Sequence, residues 1–317
     1  MPNPSSSIQR PDLGWGYQEF SLSSQMAGFR SMEILTPVPV SLTTGSFSKV
    51  SLEEMLSDDR DAKRAPDGSY QSDSVSFTQD SYTTVELGLE EKLDRREMAA
   101  FAYTGLEFAQ LASDRALAGV LRAQEIESVA LLQSTSTFGN SGVSTEWSTP
   151  ASSTPVLDVK VAIEAFRAQG GLMPNVLAMS GKILRNLMVT AEVIDRIKYS
   201  GLDDPKHVTL QQLAALFNVE EIVVFDEQKN SAKRGLAASL ADIWDDEYVG
   251  LYKVAKSGDP REPGVGRTFQ FTGDGGGVVV EQYYSDKHRA DVIRARVDLV
   301  GKIIHAEAGY LLSNITA

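Results

Sequence analysis

The 317-residue chain has no cysteine, which excludes disulfides, thiolate metal sites and cysteine nucleophiles together. Histidine is scarce: His207, His288 and His305 are the full set, and none belongs to an HExxH motif or has a partner at helical metal spacing. A metal ligand or general base needs partners, so each histidine reads as structural or exposed. No apolar run approaches the roughly 18 residues that span a bilayer. The opening Met-Pro-Asn-Pro-Ser-Ser-Ser lacks the basic and apolar regions of a secretory signal. Synthesis in a cytoplasm, without membrane association, is expected. Basic charge is also short: 30 Lys and Arg against 43 Asp and Glu give a net charge of −13. Sequence-independent nucleic-acid binding rests on clustered cations, so that class is disfavoured. The same charge suits solubility at high concentration.

The familiar chemical motifs are missing as well. Gly273-Asp274-Gly275-Gly276-Gly277 has no following Lys-Ser/Thr and leads into a strand-like run, so it predicts a tight turn between Phe271 and Val278 and no phosphate loop. There is no G-x-S-x-G elbow. Asp242, Asp245, Asp246 and Glu247 lack the spacing and glycine of a calcium loop and predict a solvated turn. Asn314-Ile315-Thr316 matches a glycosylation acceptor without the secretory signal that would give it meaning. No catalytic, cofactor-binding or metal-binding residue is assigned, and the chain is read as a non-enzyme. A soluble α/β enzyme using carboxylate chemistry is the alternative from a different class.

What is present is an unusual order of parts. Residues 1–34 combine three prolines, many serines and scattered aromatics (Trp15, Tyr17, Phe20, Phe29), a composition suited to an arm that orders on a partner surface. Residues 1–46 show no sustained period. Residues 47–90 predict an extended two-stranded excursion: a step at Phe47–Val50, a charged segment over Glu53–Arg64, a turn at Ala65-Pro66-Asp67-Gly68 and a return over Asp73–Leu87. That return alternates Val75, Phe77, Gln79, Ser81, Thr83, Val85 and Leu87 against Ser74, Ser76, Thr78, Asp80, Tyr82, Thr84 and Glu86. Neither face is strongly apolar, so anchoring to its own core should be weak.

Lys92–Gln133 predicts one proline-free helix, roughly 60 Å long if unbroken, with a stripe through Met98, Phe101, Gly105, Phe108, Ala112, Leu117, Val120 and Leu121. The Ser/Thr/Gly-rich stretch 134–154, with Trp147, is the best internal boundary. Helices follow at Val156–Gln169 (ended by Gly170-Gly171), Lys182–Ile197 and Thr209–Phe217, the last with Thr209 as N-cap. Strands are expected at Val176–Met179, Glu221–Phe225, Tyr248–Val254, Arg267–Phe271 and Val278–Tyr284. In Asp291–Leu299 the faces separate: Ile293, Ala295, Val297 and Leu299 inward, Arg294, Arg296 and Asp298 outward. An arm, a projecting loop and a long helix have little core of their own, which points to packing against other copies of the chain.

The order and spacing of several segments carry a resemblance. Tyr82-Thr83-Thr84-Val85-Glu86-Leu87-Gly88-Leu89 leads into Glu91–Glu97 and the long helix, with Glu125 near its end and a Gly142-x-x-x-x-Trp147 loop beyond. Leu157-Asp158-Val159 runs to Gly170-Gly171-Leu172-Met173-Pro174-Asn175-Val176-Leu177-Ala178-Met179-Ser180, and Leu210–Val219 to Ile222-Val223-Val224-Phe225. Tyr284, Arg289–Arg294 and Ala308-Gly309-Tyr310-Leu311-Leu312 close the series. Taken together they resemble the major capsid proteins of tailed bacteriophages with the Hong Kong 97-type fold.

The resemblance implies an α+β fold: N-terminal arm 1–46, extended β-loop 47–90, spine helix and peripheral domain 91–156, axial domain about 157–285, and a return strand to the peripheral sheet in 286–317. It implies a major head protein, a virion structural component that self-assembles through hexameric and pentameric capsomers into an icosahedral shell around double-stranded DNA, in the host bacterial cytoplasm. No cofactor is implied. Net negative charge suits an inner wall that does not stick to its contents. Expected partners are sister copies, a portal and decoration proteins. Some relatives carry a built-in scaffold of about a hundred residues before the arm; no such segment precedes Met1 in this sequence, so a separate scaffolding protein is expected. Gly201–Pro205 and Gly235 are candidate loops at a capsomer centre. A nanocompartment shell shares the implied fold, and an adhesin or tail component is the third reading.

Overall fold

The structure is a computed structural model that describes residues 8–9, 29–56, 76–94, 96, 108–198, 208–233, 235–237, 239–257, 262–273 and 276–316, with isolated positions 63, 66, 68, 70 and 74. Two sheets joined by one helix organise it. The spine of the six-stranded sheet is β14 (Ala290–Ile303). Along one edge it pairs with β5 (Val85–Asp94) from Ala290↔Asp94 to Leu299↔Val85. Along the other lie β13 (Val279–Ser285) and β12 (Gly266–Phe271), with β1 (Ile8–Gln9) antiparallel to β13 and β2 (Thr36–Val40) parallel to β12. The predicted alternation holds: Ile293, Ala295, Val297 and Leu299 are buried, between half-exposed Arg294, Arg296 and Asp298. The buried face receives α3 (Phe108–Leu132), whose Ala112, Ala116, Leu117 and Val120 share a core with those four side chains. Small residues let the helix sit close. A Cβ placed on Gly119 would lie 2.3 Å from Cδ1 of Leu89 on β5, so any larger residue there forces Leu89 aside.

The second sheet runs β6 (Gly139–Gly142), β15 (Gly309–Ser313), β11 (Val249–Tyr252), β7 (Val176–Ser180), β8 (Glu221–Phe225). Every residue of β7 is buried, as a strand covered on both faces requires. Leu177 and Met179 join the core formed with α4 (Pro155–Gly170), α5 (Gly181–Val189), α6 (Ala191–Lys198) and α7 (Leu210–Phe217). Val176 and Ala178 join the opposite core, which contains Val129 and Leu132 of α3. The long helix therefore serves both sheets. At its end the Tyr252 hydroxyl donates to the Leu132 carbonyl at 2.7 Å. Tyr252→Phe strands that buried carbonyl and is expected to cost about 1–3 kcal/mol, measured by urea denaturation.

Local signals explain the helix ends. Gly171 closes α4 with φ 65, the left-handed conformation that favours glycine. Thr209 and Gln212 form a reciprocal capping box at the start of α7.

Several expectations need correction. The long helix does not begin at Lys92: residues 92–94 end β5, because the open edge of β14 offers their backbone a full set of partners. Met98, Phe101 and Gly105 lie outside the described residues. Lys182–Ile197 is two helices, broken at Thr190, which is extended (ψ 131) and donates its hydroxyl to the Asn186 carbonyl at 2.9 Å. The run 73–87 is not one strand. Thr84 turns its N–H to the Thr43 carbonyl at 2.8 Å, separating β4 (Thr78–Thr83) from β5. The glycine cluster does not reverse the chain: β12 and β13 run in the same direction along the same edge of β14, as two lengths of one interrupted ribbon. Finally, β14 does return to the sheet that carries the long helix, but the terminal strand β15 pairs with β11 and β6 in the other sheet.

Candidate functional site

The feature with most to offer a partner is the hairpin of β3 (Thr44–Lys49) and β4, in register from Thr44↔Thr83 to Lys49↔Thr78. Its base is held by three rings. Tyr82 stacks on Phe269 of β12 with centroids 4.4 Å apart and 11° between planes, and Phe47 lies 5.4 Å from the same ring. Lys302 of β14 adds charge, its Nζ 2.5 Å from Asp80 Oδ1 and also donating to the Ser81 carbonyl. That hydrogen bond holds the Asp80 carboxyl below its usual range. Past this anchor the chain leads to α2 (Leu52–Leu56), where Met55 is 73% exposed, and returns through Phe77, 65% exposed. Leu42 and Leu56 are exposed as well. The arrangement is a fixed stem bearing apolar side chains that a single chain leaves in water.

Two further apolar outposts sit on the second sheet's side. Leu157 and Val161 stand one turn apart on the outer face of α4, and Leu236 and Leu240 belong to the hairpin of β9 (Gln228–Asn230) and β10 (Leu240–Asp242). Gly235, expected at a capsomer centre, has φ 92 in that hairpin's loop. Residues 201–205 lie outside the described residues.

Residues considered for chemistry are occupied structurally. His288 and His305 stand beyond opposite ends of β14, and His207 lies outside the described residues. Burial and the nearby Lys49 charge push the His305 pKa down. Asp246 accepts from Ser180 Oγ at 2.5 Å and pairs with Lys182 at 3.1 Å; Asp242 accepts from Gln228 at 2.8 Å, and Asp245 from the Glu247 N–H at 3.1 Å. Asn314 donates to the Val143 carbonyl at 3.3 Å and Ile315 is fully buried, so that tripeptide is packed into the fold. Among the described residues no group of three or more His, Asp or Glu could hold a metal ion, and no helix is long and apolar enough to cross a membrane. Trp147 is fully buried and donates through Nε1 to Asp158 at 2.9 Å. Glu125 is buried against Arg30 and Ser31, a pairing with no sequence signal because the partners are 94 and 95 residues away.

A long helix shared by two sheets, one carrying an anchored hairpin excursion, defines the fold class of the tailed-phage capsid proteins, the Hong Kong 97 type. A phage-related protein from Bordetella bronchiseptica shares the fold at TM-score 0.70 over 98% of both chains, with 24% identity. The capsid protein of Myoviridae phage XM1 matches at TM-score 0.52 over 88% of this chain and 89% of that one, with 11% identity. In sequence, the chain is 29% identical over 177 residues to the major capsid protein of Burkholderia phage BcepMu, covering 54% of this chain and 53% of that protein. The chain thus spans about half the length of this relative. No protein-family model matches it.

Proposed function

We propose that this chain is the major capsid protein of a tailed phage or prophage, a structural, non-catalytic subunit that closes with its copies into an icosahedral shell around double-stranded DNA. The observation that carries the reading is the β3–β4 stem: held at the base and apolar beyond it, in a fold shared with a phage-related protein over 98% of this chain and with a phage capsid protein over 88%. A stem of that kind is satisfied by a neighbouring copy, and repetition in a closed lattice turns modest contacts into a durable wall. The arm is assigned to 1–46, the extended loop to 47–90, the spine helix and peripheral part to 91–156, and the axial part to about 157–285. From 286–317, β14 completes the peripheral sheet and β15 closes the axial one. Hexameric and pentameric capsomers, a separate scaffolding protein and a portal are the partners this reading proposes, with decoration proteins as an optional addition, and the virion is its location after assembly in a bacterial host.

The test is to produce the chain together with the products of its adjacent genes and to analyse the particles for nucleic acid and protein. Particles filled with DNA support the head protein. Particles filled with an enzyme would transfer the same fold to a nanocompartment.

A further inference from the structure

Glu125 lies on the side of α3 turned toward the segment that enters β2, and it is 4% exposed. One carboxyl oxygen accepts the N–H groups of Arg30 at 3.0 Å and Ser31 at 3.1 Å. The other accepts the Ser31 hydroxyl at 2.6 Å and the Ser31 N–H at 3.3 Å. The short turn α1 (Ser31–Ile34) receives no side-chain cap from Arg30, so a carboxyl from the middle of the chain fills that role.

The surrounding charges do not help it ionise. The Arg30 guanidinium is turned to Glu33 at 2.7 Å and Glu221 at 3.9 Å. Arg122, one turn earlier on α3, meets Glu227 at 3.5 Å. The charged groups near the contact, among the described residues, are Arg30 just before α1 and Glu33 within it, Arg122 from α3, Glu221 from β8, and Asp226 and Glu227 just after β8. Among the described residues, none of the cations forms an ion pair with Glu125. A carboxyl at this depth without a countercharge is more stable neutral.

We propose that the Ser31–Glu125 contact is a proton-operated latch: it holds the base of the N-terminal segment against the long helix while Glu125 is neutral, and lets it go when the carboxyl ionises. The neutral acid keeps one oxygen for the two amides and offers its own O–H to Ser31. Burial, which outweighs the hydrogen bonds from Ser31 and Arg30 and is reinforced by Glu227, raises the Glu125 pKa to about 7. Released into water, the carboxyl returns to its ordinary value near 4.5. Docking therefore takes up a proton. Its contribution is complete below about pH 4.5 and is lost as pH rises through about 7. Between those values the docking constant falls about tenfold per pH unit. The latch belongs to the single chain and does not depend on the shell reading.

Hydrogen exchange of the full chain at pH 5, 6, 7 and 8, corrected for intrinsic rates, tests it on peptides covering residues 29–36. Their protection should fall about tenfold per unit between pH 5 and 7, while peptides covering β7 remain protected, which separates local release from global unfolding. Glu125→Gln should flatten the profile. Ser31→Ala should lower protection at every pH and keep the slope. A flat wild-type profile, or an unchanged slope in Glu125→Gln, overturns the latch. Should Glu125→Gln fail to fold, the wild-type and Ser31→Ala profiles decide alone.

Discussion

Replacing Trp147 with alanine is expected to destabilise the subunit by about 3–5 kcal/mol, the usual cost of deleting a buried large aromatic. Two effects act together. The indole is fully buried in the core that unites α4, α5, α6 and α7 with the five-stranded sheet, and its removal leaves a cavity there. It also removes the Nε1 donor at 2.9 Å from Asp158. Burial already pushes the Asp158 pKa up, and the Trp147 hydrogen bond opposes that shift. Without the donor, a partly buried carboxylate loses its partner. Trp147→Phe keeps most of the volume and loses the hydrogen bond with a small part of the packing, so it should cost less, about 1–3 kcal/mol. Urea denaturation followed by tryptophan-independent far-ultraviolet circular dichroism reads both. Equal effects from the two variants would show that packing contributes little at this site.

Replacing Phe269 with alanine is expected to abolish closed particles while leaving a folded subunit. Phe269 is the ring on which both strands of the β3–β4 hairpin rest, through Tyr82 and Phe47. Each such aromatic pair contributes about 0.5–1.5 kcal/mol, so losing both increases the freed population of the hairpin by roughly 5- to 150-fold. A shell repeats that loss in every copy, and closure multiplies it. Phe269 belongs to none of the three main cores, so circular dichroism and cooperative unfolding should persist, with faster proteolysis between residues 44 and 83. Tyr82→Phe retains the stacked ring and should assemble normally. Particles of normal yield from Phe269→Ala would show that the stem need not be fixed.

Much of this architecture could be read from sequence where a local rule and the tertiary fold agree. The arginine–apolar alternation of β14 works because one face meets α3 and the other carries the cross-strand ion pairs of Arg294 and Arg296 with Glu281. The box at Thr209 and the glycine pair that ends α4 are local hydrogen-bond chemistry, complete within a few residues. The misses share a cause in distant partners. The strand β2 carries Pro37 and Pro39, which mask an extended segment; both prolines are exposed, as befits a sheet edge. The charged run 90–94 has no apolar signature of a strand and becomes one because β14 has a free edge to pair with. The continuity of β12 into β13 is invisible without β14, since only a shared partner shows that the chain did not turn back. Likewise the Glu125 contact with Ser31 joins residues whose neighbours in sequence say nothing of each other. The mixed faces of the β3–β4 stem predict weak anchoring; its hold comes from Phe269, a ring on another strand.

The measurement that bears most directly on the whole account is the size and shape of the purified protein, by analytical ultracentrifugation and negative-stain electron microscopy, after co-production with its neighbouring gene products. Uniform closed particles are predicted. A chain that stays a 34.5 kDa monomer at high concentration under those conditions, with its hairpin's apolar side chains still accessible to water, would contradict it.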